Sequence, residues 1–395
     1  MRGAAERPLI FLVAGEPSGD ALGGRLMAAL KRATGGGVRF AGVGGDRMAA
    51  EGLDSLFPMA ELSVMGYLEV VPRIPRLFAR SRQIAARARA LNPAALITID
   101  SPEFTLRVAR RLNGAGFPLV HYVAPQVWAH RPGRAPQIAH ILDHLLALLP
   151  FEPAYFEAVG LACSFVGHPV VEEGADGGDG TAFRARHAIP ERAPLVCLLP
   201  GSRPGEVSRL LPVFGATLAR LSEGIPDLWS VVPTLRPVAE MVRRGVAEWP
   251  TSSAVVCEPE EKYDAFAASM VALAASGTVV LELAIAGLPA VVTYRVNPLT
   301  AWAARRMIRV PYVSLVNLIL DRSVMPELLQ ERCRPDMLAE AVAGLVMDEN
   351  ARAAQSAEAR RAAVKIGHGG PPPSERAAKI VLDLIAGRVE TGAPT

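Results

Sequence analysis

The chain has 395 residues, half of them hydrophobic, with a formal net charge of +3 and four cysteines. That length exceeds what one ordinary core holds and suggests two domains, while the apolar share excludes a disordered chain. The small charge gives no global attraction to nucleic acid, and Cys163, Cys197, Cys257 and Cys333 lack CxxC or Cys/His spacing, so they read as reduced core residues of a cytoplasmic protein.

The first apolar run, 9–14, reads as a buried strand and not a signal peptide, because it is short and Glu16 and Asp20 follow at once. The stretch 15–20 is then a strand-to-helix turn, and Leu22, Leu26 and Leu30 place one apolar stripe on a helix over 21–34. Neither this turn nor Gly42, Gly44 and Gly45 fits a dinucleotide fingerprint, and Ser18 and Asp20 suit helix caps. Further strands over 38–43, 94–99, 119–123, 145–149 and 163–166 alternate with helical stretches, which predicts a mostly parallel sheet covered on both faces. Asp100 emerges from the end of a buried strand as a candidate general base, or else as a cap for the helix after Pro102, and Glu103 lies close enough to share the duty. His121 in its apolar strand reads as a core residue. The seven histidines show no HxH or HExxH spacing, and the absence of GxSxG disfavours covalent hydrolysis.

Gly167-His-Pro169 and the Gly/Asp-rich 172–180 mark a boundary between a first domain, 1–170, and a second, 171–367. The second restarts with strands over 195–199, 229–232, 254–257, 270–274 and 290–294. In the turn 200–206, Gly201 allows close backbone approach, Ser202 donates and Arg203 offers a charged fork, which suits a diphosphate; a plain Arg203–Glu206 salt bridge is the alternative. The run 271–294 has a single charge, Glu282, yet Ser276-Gly-Thr278 and Gly287-Leu-Pro289 divide it into strand, helix from Ser276 and strand, rather than a membrane span. Free N–H groups at that helix start suit a phosphate at Ser276, Gly277 and Thr278. Glu282, on the same helix face as Thr278, could accept from ribose hydroxyls; a capping Ser276 and a paired structural Glu282 are the alternatives. His368-Gly-Gly-Pro-Pro-Pro373 breaks the chain again, leaving a third segment, 368–395, with a terminal helix and a frayed tail.

Two arginine-rich stretches remain. Arg73, Arg76, Arg80, Arg82, Arg87 and Arg89 surround Phe78 with no acid between 70 and 91, and Arg305, Arg306 and Arg309 adjoin Trp302, Met307 and Tyr312. Arginine beside apolar side chains suits an anionic membrane or a phosphorylated lipid, and equally a solvated helix face. Two βα-rich halves predict an α/β fold of two Rossmann-like domains facing a cleft, where ligands bind outside the carboxyl ends of parallel strands.

Ten motifs in order then carry a resemblance over nearly the whole chain: 14–20 (AGEPSGD), 64–69 (VMGYLE), 99–104 (IDSPEF), 121–128 (HYVAPQVW), 148–152 (LLPFE), 165–169 (FVGHP), 199–203 (LPGSR), 275–278 (ASGT) with Glu282, 312–317 (YVSLVN) and 326–330 (PELLQ). The chain resembles the lipid-A-disaccharide synthase family of GT-B glycosyltransferases. The resemblance implies UDP-2,3-diacylglucosamine as donor and 2,3-diacylglucosamine 1-phosphate as acceptor. The products would be a β-1,6-linked disaccharide 1-phosphate and UDP, formed with inversion. It implies Asp100 as base, Glu16 and Ser18 on the acceptor side, and Arg203, Ser276, Gly277, Thr278, Glu282 and Asn317 around UDP, with Gly201 and Ser202. It also implies no metal or other cofactor, a homodimer swapped through the C-terminal region, a final helix crossing back to the first domain, and peripheral attachment to the inner face of the cytoplasmic membrane. Departures are Glu103 where relatives often carry Asp, His130 in place of a second Trp, and Val316 in place of Pro. The competing readings are a UDP-sugar 2-epimerase of similar fold and a two-lobed binding protein without catalysis.

Overall fold

The computed structural model describes residues 7–62, 67–131, 133–297, 300–302 and 310–390. It divides into two compact units, Met1–Pro169 with Pro371–Thr395, and Val170–Gly370.

Unit 1 is built on six parallel strands: β1 (Leu9–Ala14), β2 (Arg39–Val43), β3 (Ala95–Ile99), β4 (Leu119–Tyr122), β5 (His144–Ala147) and β6 (Cys163–Phe165), in the order β2-β1-β3-β4-β5-β6. Its helices are α1 (Pro17–Ala33), α2 (Asp46–Ala50), α3 (Tyr67–Leu91), α4 (Pro102–Leu112), α5 (Arg134–Ala139) and α6 (Pro153–Glu157), with a returning helix, Pro373–Glu390, from the far end of the chain. The central strands β3 and β4 are buried at every position, and apolar except for Thr98 and His121, because both faces are covered. Phe11, Val13 and Leu96 pack on one side with Ile84 of α3, Val108 of α4 and Ile138 of α5. Ile10, Leu12 and Ile97 pack on the other with Leu26 of α1 and with Ala377 and Val381 of the returning helix. Strands β1 and β2 come close at Gly42, where φ is +140° and a Cβ would lie 1.8 Å from the Leu12 carbonyl oxygen, so only glycine fits.

Unit 2 repeats the plan with β7 (Leu195–Leu199), β8 (Trp229–Pro233), β9 (Ser252–Val256), β10 (Val271–Ala275), β11 (Ala290–Tyr294) and β12 (Glu327–Leu329), all parallel in the order β12-β11-β10-β7-β8-β9. The helices are α7 (Gly180–Arg186), α8 (Pro204–Gly224), α9 (Arg236–Val246), α10 (Pro259–Ala268), α11 (Val279–Ala286), α12 (Leu315–Leu320), α13 (Pro335–Met347) and α14 (Glu349–Lys365). The apolar run 271–294 is therefore strand, helix and strand. Among the described residues no helix is long and apolar enough to cross a membrane. One boundary needs correction: α11 begins at Val279 with Thr278 as N-cap, not at Ser276, because Ser276 and Gly277 form a bend before the helix.

Candidate active site

In unit 1 the turns after β1 and β3 meet. The Ser18 hydroxyl donates to Asp100 Oδ2 at 3.0 Å, the Ser101 N–H donates to Asp100 Oδ1 at 2.8 Å, and the Ser101 hydroxyl donates to Glu16 Oε1 at 2.7 Å. Asp100, Glu16 and Ser18 thus form one cluster, to which the structure adds Ser101, a residue of the 99–104 motif to which the sequence assigned no role. Asp100 does not cap α4: its carboxylate takes the Ser101 N–H and the Ser18 hydroxyl, while the first-turn amides of Phe104 and Thr105 bond to the Ser101 carbonyl. Both Asp100 and Ser101 have left-handed backbone, φ +53° and +42°, a conformation costing on the order of 1–3 kcal/mol per residue. Asp100 is half-buried and follows β3 at the carboxyl end of the sheet. Asp20 has a different task. Its buried carboxylate accepts from the N–H groups of Gly45, Arg47 and Met48 at 2.7–3.0 Å, capping α2 instead of its own helix.

In unit 2 a cavity of about 470 Å³ opens at the carboxyl ends of the strands and is lined by Gly201, Ser202, Arg203, Ser276, Gly277, Thr278 and Glu282. That volume is within the range of small-molecule sites, roughly 300–1,000 Å³. Seven of the eight residues singled out for UDP are therefore neighbours. At the start of α11 the Val280 and Leu281 amides bond to the Gly277 and Thr278 carbonyls at 3.2 and 2.9 Å, and the Ser276 hydroxyl ties this turn to the Val313 carbonyl at 3.2 Å.

Three details sharpen the sequence reading. Asn317 is fully buried: its amide donates to the Met325 carbonyl and Glu327 Oε1, and its oxygen accepts from the Val324 and Met325 N–H groups. It braces the segment leading into β12. Secondly, the Ser202 and Arg203 amides already donate to Glu206 Oε2 at 3.2 and 3.3 Å, leaving the Ser202 hydroxyl and the Arg203 guanidinium to face the cavity. The guanidinium also pairs with Glu206 Oε1 at 3.1 Å but is 79% exposed, and Tyr294 donates to the same oxygen at 2.9 Å. Thirdly, Glu282 is an ion-pair partner as well as a cavity residue. Only 9% of its side chain is exposed, and the Lys262 ammonium, also in the cavity wall, reaches its carboxylate. Burial pushes the Glu282 carboxyl above its usual range and Lys262 pulls it back. Lys262 sits in α10 among acids and has no sequence signal.

The arginine-rich stretch of α3 also reads differently in space. Although no acid lies between 70 and 91, Glu61 receives both Arg76 (3.1 Å) and Arg80 (2.6 Å), and Arg80 stacks 4.3 Å over the Phe57 ring. Arg80, expected to face a membrane, is thereby held inward. Arg82 is exposed, as are Phe78 and Trp302. Arg305 and Arg306 lie outside the described residues, as does the side chain of Arg73.

Two motifs carry buried polar groups. His121 is fully buried, its Nδ1 lies 2.8 Å from the Thr98 hydroxyl, and burial depresses its pKa to about 3. Glu152 accepts from the Trp128 indole and from the Leu148 and Leu149 amides, and burial raises its pKa to about 7. Among the described residues no group of three or more His, Cys, Asp or Glu side chains is placed to hold a metal ion.

Comparison with known proteins places this geometry in context. The profile described as lipid-A-disaccharide synthetase matches residues 10–381. Among curated relatives, the lipid-A-disaccharide synthase of Rhodospirillum centenum is 56% identical over 383 residues, 96% of each chain. That of Paramagnetospirillum magneticum is 55% identical over 381 residues, covering 95% of this chain and 97% of the relative. Among solved structures, an S. aureus MnaA–UDP complex superposes with a TM-score of 0.65 at 10% identity, covering 97% of both chains. Acinetobacter baumannii MurG gives 0.59 at 14% identity, over 95% of this chain and 99% of its own. At such identities the structural likeness speaks for the fold alone.

Proposed function

The chain belongs to the lipid-A-disaccharide synthetase family, and from that premise we propose how its two units divide the reaction. The protein is a glycosyltransferase that forms the lipid A disaccharide; the 2-epimerases share its fold at only 10–12% identity, so they do not outweigh relatives above 50%. The finer reading concerns substrates and roles. The donor is UDP-2,3-diacylglucosamine and the acceptor 2,3-diacylglucosamine 1-phosphate. Unit 2 takes the UDP portion in its cavity: the amides around Ser276–Thr278 and the Arg203 fork receive the diphosphate, and the ionised Glu282 accepts from ribose hydroxyls. Unit 1 supplies the base. The acceptor 6-hydroxyl attacks the anomeric carbon, its proton passes to Asp100, and the bond from that carbon to the UDP oxygen breaks with its electron pair leaving on UDP. Attack opposite the departing group inverts the centre from α to β.

The observation that carries this reading is the Asp100 carboxylate, fixed by the Ser18 hydroxyl on one oxygen and the Ser101 amide on the other. A base oriented in this way needs no search for its proton, and general-base contributions run to roughly 10²–10⁴-fold. Asp100→Asn keeps the size and one of the two acceptor positions, turns the other into an NH2 donor, and removes the base. We expect the variant to bind UDP as the parent does, and its turnover, followed as acceptor-dependent UDP release, to fall by roughly 10²–10⁴-fold. Near-normal turnover would exclude Asp100 as the base.

A further inference from the structure

A second cavity, of about 510 Å³, lies in unit 1 along α4, away from the Asp100 cluster's own side chains. Arg107, Arg110, Arg111 and Arg134 line it, against a single carboxylate, Glu103. Two of the four guanidiniums are committed: Arg134 pairs with Glu103 at 2.7 Å, and Arg111 donates to the Ser81 hydroxyl at 3.2 Å. The other two are not neutralised. Arg107 lies 4.0 Å from the centre of the Phe78 ring, and exposed Arg110 has no ion pair among the described residues. The lining also includes Phe78, Leu106, Ile138 and Ile141, of which Phe78 is the exposed one. A merely solvated basic helix face would not be concave with an exposed aromatic ring beside one of its arginines. Surplus guanidinium charge beside exposed Phe78 and Ile74 matches a ligand with a phosphate at one end and hydrocarbon at the other, because the planar fork meets phosphate oxygens two at a time.

We propose that this cavity binds the phosphate of an acylated molecule. Two sources share that chemistry: the acceptor substrate's 1-phosphate, and the headgroup of an anionic membrane lipid. Both fit the position of Phe78, which is 37% exposed beside 40%-exposed Ile74 on the same helix. The acceptor source rests on the reading of Asp100 above, since α4 grows directly out of Asp100–Ser101. The membrane source does not.

The test is the full chain carrying Arg107→Gln and Arg110→Gln, with Arg110→Gln alone as a second variant whose exposed site spares the fold. Co-sedimentation is measured with phosphatidylcholine vesicles with and without phosphatidylglycerol, and acceptor and donor KM are measured in detergent micelles. Loss of two charge-assisted contacts should weaken one of these by about tenfold or more. A rise in acceptor KM alone assigns the cavity to the acceptor phosphate. Weaker binding to the phosphatidylglycerol vesicles with both KM values unchanged assigns it to the membrane lipid. Parent-like values in both assays for the double variant overturn the proposal, as does a double variant that loses its fold while Arg110→Gln behaves as the parent throughout. Vesicle binding needs no turnover, so a failure of the Asp100 reading would leave that arm standing and be recognisable as such.

Discussion

At Glu282, burial and one cation pull in opposite directions, and the balance decides whether the cavity holds a carboxylate or a carboxylic acid. Lys262 is the group that opposes the effect of burial and favours the carboxylate, and the same ammonium lies 5.1 Å from the Tyr263 ring centre. Lys262→Met retains the hydrocarbon stem but removes the charge. The Glu282 carboxyl then rises further, so a growing fraction is protonated as pH falls and cannot accept from two ribose hydroxyls. We expect the donor KM to rise by about tenfold, in line with one or two lost charge-assisted bonds, with the rise steepening toward acid pH and kcat little changed. A donor KM that is raised equally at every pH would reject this role. The contrast with the sequence is instructive at this scale. Ser276, Thr278 and Glu282 were legible because polar residues interrupt an apolar run. Lys262 follows Glu260 and Glu261 on a helix that reads as an ordinary charged surface, and only the packing of α10 near α11 turns its ammonium inward. Asn317 shows the complementary limit: its motif was visible, but the bonds of its amide to Met325 and Glu327 are decided by tertiary contacts that spacing does not encode.

Among the elements, strands buried on both faces were the most readable, since covering by helices leaves runs such as 9–14 and 195–199 apolar at every position. Strand β12 was not, because three residues beginning with a glutamate hold no period, and their pairing with β11 is long-range. The returning helix was visible as a capped helix after a Pro/Gly break, and its return to the first domain came from the resemblance and not from its own spacing. It lies against α1 with Ala377, Ala378 and Val381 fully covered, Arg376 donates to the Phe165 carbonyl at 2.9 Å, and Glu375 meets Arg32 at 3.4 Å. The exposed ion pair adds little; the buried side chains do the holding. Val381→Ala removes two methyl groups from this contact and should destabilise unit 1 by about 2 kcal/mol. Hydrogen exchange can read it by element: amides of α1 should exchange faster while those of β7 stay as in the parent. Equal acceleration in both would show that the helix does not belong to unit 1 alone.

For the molecule as a whole, acid sensitivity should be set by unit 1, which holds three strongly shifted buried groups. His121 and His168, with pKa values depressed by burial to about 3 and about 4, bind protons more readily once unfolded. Their stabilisation is complete above the unfolded histidine value of about 6.5 and is lost as pH falls through it toward the folded values. Glu152, raised to about 7, acts in reverse: the native state keeps its proton between about 4.5 and 7, so its contribution declines as pH climbs through that window. Two histidines against one carboxylate leave a net gain of roughly 1.4 kcal/mol per pH unit between about 4.5 and 6.5, then a plateau. His168→Gln should remove most of that slope in unit 1's thermal transition, and an unchanged acid limb would reject the assignment. The returning helix also has a bearing on how the protein is made. Ala33 ends α1 and Pro373 begins its partner, so roughly 340 residues are synthesised between them, which takes on the order of 17–70 s at about 5–20 residues per second. Throughout that interval Leu26 and Leu30 emerge from the ribosome without their cover, whereas unit 2 is contiguous in the chain and can close first. Unit 1 therefore matures last although its first strand is made first, and a messenger cut short before codon 373 would yield a finished unit 2 joined to a unit 1 that displays an apolar groove to the chaperones and proteases of its cell.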